Sequence, residues 1–138
     1  TSSDGFDADF CKGKVINSRV TNTINDGLDF SGSSITIENT AFINNGDKAI
    51  SIGEESTADI KNINIDNAII GIAAKDLSTV IVNIAKITNC DTALAAYQKK
   101  PEYGGAKITV ANLIHEKNRL LKSIAKNSSI SISKENKN

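Results

Sequence analysis

A chain of 138 residues with sixteen basic and sixteen acidic side chains has no net charge, which sets aside nucleic acid as a partner, because phosphate backbones call for a basic surface. The length is that of one domain, and 39% hydrophobic content with 4% aromatics and no Trp or Met describes an aliphatic core suited to stacked strands rather than to a helical bundle. The longest apolar run, Ala68-Ile69-Ile70-Gly71-Ile72-Ala73-Ala74, falls far short of the roughly 18–20 residues of a membrane span.

The first element is announced by a phrase that returns. Asp4-Gly5-Phe6-Asp7 is echoed 22 residues later by Asp26-Gly27-Leu28-Asp29. Aligning the chain at that interval gives an apolar column of Phe6, Leu28, Ile50, Ile72 and Leu94, and a second of Ala8, Phe30, Ile52, Ala74 and Ala96. Between them stand Asp7, Asp29, Ser51, Ala73 and Ala95, polar or small, which is the period-2 alternation of a half-buried strand.

A second strand per repeat follows in Ile35 and Ile37, Ala58 and Ile60, Val80 and Val82, with Val15 matching Ile37. A third apolar column is Val20, Phe42, Ile65 and Ile87. An Asn column (Asn22, Asn44, Asn67, Asn89, Asn112) follows each third strand and predicts a corner ladder, since Asn tolerates left-handed backbone and its amide can bond to the copy stacked above.

Three short strands in about 22 residues cannot bury an apolar face alone, whereas stacked copies share one core and pair in parallel about 4.8 Å apart. The pattern therefore predicts an all-β, single-stranded parallel β-helix of about five rungs. Its right hand is taken from the general preference of parallel crossovers. Residues 1–132 form the domain, with an irregular C-terminal cap, and 133–138 form a disordered tail.

After Asp91 the repeat loosens. A Lys-Lys-Pro-Glu-Tyr-Gly-Gly segment at 99–105 is read as a loop interrupting one corner, and 115–126 as either a capping helix or a last rung ending in Ser129-Ile130-Ser131-Ile132. Cys11 and Cys90 fall on different corners, roughly 14 Å apart along the axis by rung spacing, beyond the roughly 7 Å a disulfide spans. Two free thiols are expected.

No charged-then-apolar leader stands at the N-terminus, so either one was removed or the chain is part of a longer protein. The first rung has no capping element before Asp4. Its bare strand edges imply either a longer β-helix or end-to-end self-association through that rung.

Candidate chemistry lies on the outward face of the first strand. Asp7 and Asp29 are neighbours there, with Asp9, Asp26 and Asp4 nearby, a carboxylate cluster of the kind a hard cation such as Ca²⁺ uses. The bland alternative is that Asp4 and Asp26 are turn residues before Gly. Further along, Lys75 is the candidate base for taking an α-proton from a uronate. Glu54, Asp76, Tyr97, Lys99 and Tyr103 are candidate sugar-binding residues around it; a surface ion pair and a structural loop are the plainer readings. His115 is the single histidine, and no His/Cys metal spacing or phosphate loop occurs.

With these columns in hand, the segments DGLDFSGSSITIENTAFINNGDKAISIGEEST and IGIAAKDLSTVIVNIAKI resemble the pectate-lyase-like superfamily of right-handed parallel β-helices, over about residues 4–112. The resemblance implies a secreted or cell-surface module that binds, cleaves or epimerises an acidic polysaccharide, often with Ca²⁺. The chain departs from the well-defined lyases in having no arginine on the repeat face near Lys75; Arg19 and Arg119 lie elsewhere. A non-catalytic structural or adhesive module is the alternative.

Overall fold

The computed structural model describes residues 4–137, wound into six stacked turns of parallel strands with no helical residue among them. The first turn holds β1 (Phe6–Asp9), β2 (Lys12–Ile16) and β3 (Arg19–Thr23); the second holds β4 (Leu28–Ser31), β5 (Ser34–Glu38) and β6 (Thr40–Asn45). From the third turn on, the second and third strands fuse into one. The pairs are β7 (Lys48–Gly53) with β8 (Thr57–Asp66), β9 (Ile70–Lys75) with β10 (Thr79–Thr88), β11 (Thr92–Tyr97) with β12 (Lys107–Glu116), and β13 (Leu120–Ile124) with β14 (Ser129–Lys137). One sheet runs β1-β4-β7-β9-β11-β13 and the other β14-β12-β10-β8-β5-β2, with β3 and β6 continuing the latter around its bend.

The register is that of the predicted columns. Phe6, Leu28, Ile50, Ile72 and Leu94 are successive partners, as are Ala8, Phe30, Ile52, Ala74 and Ala96. Val20, Phe42, Ile65 and Ile87 form the third column. From Leu28 to Leu113 these side chains are essentially sealed from water in one continuous aliphatic core.

The repeated phrase has a mechanical explanation. Asp4 Oδ1 accepts the backbone N–H of Asp26 at 3.0 Å, and Asp26 Oδ1 accepts that of Lys48 at 3.1 Å, so each Asp ties its turn to the next. The Gly that follows must lack a side chain: a β-carbon on Gly27 would lie 2.6 Å from the Ala49 carbonyl oxygen.

At the third corner Asn22, Asn44, Asn67 and Asn89 all adopt left-handed backbone, with φ of 55°, 57°, 66° and 57°. Their amides stack as expected from Asn44 to Asn22 (3.3 Å) and from Asn67 to Asn44 (2.9 Å), but Asn89 donates to Asp66 Oδ1 instead. Asn112 does not belong to this column. The inserted loop lengthens the interval to 28 residues (Val80 pairs with Ile108), so the corner position passes to Lys117, at φ 57°, and Asn112 pairs with Ile84 one corner earlier. That earlier corner holds its own amide contact, Asn62 to Asn39 at 3.0 Å.

In the C-terminal third one open choice is decided and one expectation is overturned. Of the two readings of residues 115–126, the last rung holds and the capping helix does not: they form strand and turn, completing a sixth turn. Of the expected tail, 133–137 continues β14, with Lys134, Glu135, Asn136 and Lys137 paired against Asn112, Leu113, Ile114 and His115; Asn138 lies outside the described residues. A long exposed edge on β12 supplies backbone partners that these polar residues can take whatever their side chains. The core columns end there on polar groups: Lys122 follows Leu94, Glu135 follows Leu113, and His115 follows Ile87, with His115 Nε2 3.0 Å from Glu135 Oε2.

Both cysteines are free. Cys11 lies half-buried with Sγ 3.5 Å from Ser33 Oγ, and Cys90 is buried, which pushes its thiol pKa up.

Candidate functional site

The outward face of the first sheet carries two columns: Asp7, Asp29, Ser51, Ala73 and Ala95, and beside it Asp9, Ser31, Gly53, Lys75 and Tyr97. The small residues of the middle turns let long neighbours lie flat. Lys75 does so over Gly53, where a β-carbon would stand 3.3 Å from Lys75 Cε. As a result Lys75 is only 8% exposed although it does not point into the core.

Burial pulls the Lys75 ammonium below the usual lysine range; the Asp29 carboxylate works against that, while Lys48 and Lys99 reinforce it. Asp29 shows the mirror image. Burial lifts its pKa, and Lys75 and the Ser51 hydroxyl pull it back without restoring it. Ser51 is wholly buried, and its hydroxyl faces Asp29 without reaching conventional hydrogen-bond geometry.

At the N-terminal end of this face, carboxylate oxygens of Asp4, Asp7 and Asp29 lie within 4.8 Å of one another. Partial burial, then the charges of Asp9, Asp4 and Asp26, raise the Asp7 pKa. Of the four carboxylates expected to share a cation, the structure gathers Asp7 and Asp29, joined by Asp4. Asp9 and Asp26 are outside the group, because Asp9 stands one column over and Asp26 is engaged by Lys48, whose Nζ lies 3.5 Å from Asp26 Oδ1. Three clustered carboxylates fit a hard divalent cation by charge and by donor type.

The remaining candidates frame the loop. Asp76, 1% exposed, accepts the backbone N–H groups of Lys99 (2.7 Å) and Lys100 (2.9 Å), and Glu54 pairs with the Lys100 ammonium. Gln98 closes the loop from within by donating to the carbonyls of Lys100, Pro101 and Tyr103. Glu54 and Asp76 thus anchor the segment that carries Lys99 and Tyr103, rather than standing open beside Lys75. Lys99 is exposed and near enough to act on Lys75, whereas Tyr103 is half-buried in the loop, its N–H donating to the Lys100 carbonyl.

Sequence reading missed Lys48 and Ser51. Lys48 opens β7, is held by Asp47 at 2.7 Å and by Asp26, and its charge acts on both Lys75 and Tyr97. Burial lowers its pKa, and the bond to Asp47 with the charges of Asp26 and Asp47 more than offsets this, so Lys48 remains a cation. Its signal was present: Lys48 sits 22 residues after Asp26, at the start of the strand whose outward positions turn small.

Stacked turns of parallel strands around an aliphatic core define a β-helix. The chain belongs to the right-handed β-helix region family, whose sequence profile matches residues 4–138. That membership is consistent with the pectate-lyase-like resemblance at the level of fold. No curated protein and no solved structure matches the chain.

Proposed function

We propose that this module works outside the cell or at its surface, binding an acidic polysaccharide along the outward face of the first sheet and processing it as a lyase or epimerase with Lys75 as base. The observation that carries the reading is the state of Lys75. It is an outward-facing lysine, nearly sealed from water, with its pKa lowered, lying over Gly53 beside the small residues Ser51, Ala73 and Ala95 of the next column. A lysine with a lowered pKa presents more neutral amine, the form that accepts the proton α to a uronate carboxylate.

The same face carries Asp4, Asp7 and Asp29 toward its N-terminal end, which would repel a polyanion. Asp4, Asp7 and Asp29 would hold a Ca²⁺ ion there, which would supply the positive charge that a sugar carboxylate requires. Lys99 and Tyr103 on the loop flank the Lys75 end and offer donors and a ring to the sugar.

Incubation with alginate and polygalacturonate in the presence of Ca²⁺ tests this, with the ultraviolet absorbance of the unsaturated product as readout. Absorbance should rise with the native chain and stay flat with Lys75→Ala. No product and no binding across the panel would favour the second reading, a non-catalytic structural module. That reading draws on the placement of the arginines: Arg19 lies on β3, and Arg119 is bonded to Asp91 on another corner, so neither reaches this face.

A further inference from the structure

We propose that the N-terminal end of the solenoid docks a second copy of this chain, the two ends meeting about a two-fold axis with β1 of each copy laid over β2 of the other.

The two ends of the stack differ in what they leave uncovered. β1, β2 and β3 pair with the second turn on one side, and no described strand pairs with their outer edges. Between them opens a hollow of about 620 Å³, walled by Phe6, Ala8, Val15 and Val20 over Leu28 and Phe30. Phe6 is 54% exposed there, although its column is sealed from Leu28 onward. No charged residue stands in the core columns of this first turn, which are Phe6, Ala8, Gly13, Val15 and Val20. At the far end the columns that run through the core finish on Lys122, Glu135 and Lys137. Stacking head to tail would press those charges against the apolar hollow, at the cost of burying them; two N-terminal ends brought together bury none of them. Such an isologous contact also stops at two copies.

Charge selects the orientation. On the outward side β1 carries Asp7 and Asp9, and β2 carries Lys12 and Lys14. All four are exposed, and none forms an ion pair among the described residues. One turn deeper the columns of Asp9, Lys12 and Lys14 continue as Ser31, Ser34 and Thr36, so the segregation of charge belongs to the end itself.

β1 and β2 lie on opposite sheets. A two-fold running across the strands would set β1 on β1 and β2 on β2, carboxylates against carboxylates and ammonium groups against ammonium groups, which destabilises a strand pair. A two-fold running along the strands, between the sheets, sets β1 on β2 twice. Asp7 and Asp9 of each copy then meet Lys12 and Lys14 of the other, the exposed edges find backbone partners, and the two hollows close on each other.

Sedimentation equilibrium tests this, run in chelator so that no divalent cation on Asp4, Asp7 and Asp29 enters the reading. The native chain should follow a monomer–dimer equilibrium. The double variants Asp7→Lys/Asp9→Lys and Lys12→Asp/Lys14→Asp, both at exposed positions, should each weaken self-association by about tenfold or more, because each sets like charges opposite. Mixed in equal amounts, the two variants should pair with each other, since every contact in the mixed dimer again joins opposite charges.

A native chain that stays monomeric at millimolar concentration overturns the proposal, and the hollow is then covered by something other than a second copy. Growth beyond the dimer overturns it as well, because it reports head-to-tail stacking. A dimer indifferent to both charge reversals, or a mixture that stays monomeric, overturns the pairing of β1 with β2.

Discussion

The two sheets of this solenoid share one core but treat their outward faces differently. On the second sheet, β8 alternates as a half-buried strand should: Ala58, Ile60, Ile63 and Ile65 are sealed while Asp59, Lys61, Asn62 and Asn64 face water. On the first sheet, β7 and β9 are buried at every position after the first, inside and outside alike. The outward burial there does not come from the core. Part of it comes from Lys75 lying flat over Gly53, so one face is a solvated wall and the other is largely covered. Outward positions that turn small while their neighbours turn long are the mark of the second kind.

The largest effect that separates inside from outside is expected at Ile50, wholly buried in the shared core. Ile50→Asp places an unpaired carboxylate there and should unfold the domain, a loss of more than about 4 kcal/mol read as absent cooperative denaturation. A normally stable variant would refute the register.

On the outward side, Asp76→Ala removes the acceptor that holds two loop N–H groups and leaves alanine at a φ of 54°. It should cost about 1–3 kcal/mol in denaturant unfolding and free the loop to proteolysis between 98 and 105. A loop that stays resistant would show that Asp76 is not its anchor.

Lys75→Met sharpens the contrast further. The folded pKa lies below the unfolded value of 10.5, so the unfolded chain binds the proton more tightly and stability climbs with pH through the interval between the two. Replacing the lysine by a neutral stem should flatten that climb and raise the thermal midpoint by a few degrees at neutral pH. A lowered midpoint would mean that the Lys75–Asp29 attraction outweighs the cost of burial.

The smallest effect is expected at Asp91, exposed and paired with Arg119. Its pKa is depressed, so whatever the pair contributes is present above the ordinary carboxylate value and lost as pH falls through the lowered one. Asp91→Asn should barely change the denaturation midpoint at neutral pH, and a large loss would overturn the view that this corner is solvated surface.

Much of the fold was legible because stacking repeats one environment at one spacing. Phe6, Leu28, Ile50, Ile72 and Leu94 face the same interior and so read as a column. The reading failed where the spacing changed. The loop at 99–105 shifted the frame and misplaced Asn112, and residues 133–137 looked disordered because strand pairing on a free edge depends on backbone, which polar composition does not reveal.

The candidate site was legible only in its outline. Asp7, Asp29 and Lys75 stood out because charge on a repeating strand is conspicuous. Tyr97 stood out too, in register with Lys75, whereas Lys48 was missed although it sits 22 residues after Asp26, because spacing does not say where its long side chain runs.

The most direct test of the central claim is residue-resolved NMR mapping of galacturonate and alginate oligomers onto the chain in the presence of Ca²⁺. Shifts confined to the outward face of the first sheet and its loop are expected, centred on Lys48, Ser51, Lys75, Tyr97 and Lys99. Shifts on the second sheet instead, or none with any oligomer, would contradict it.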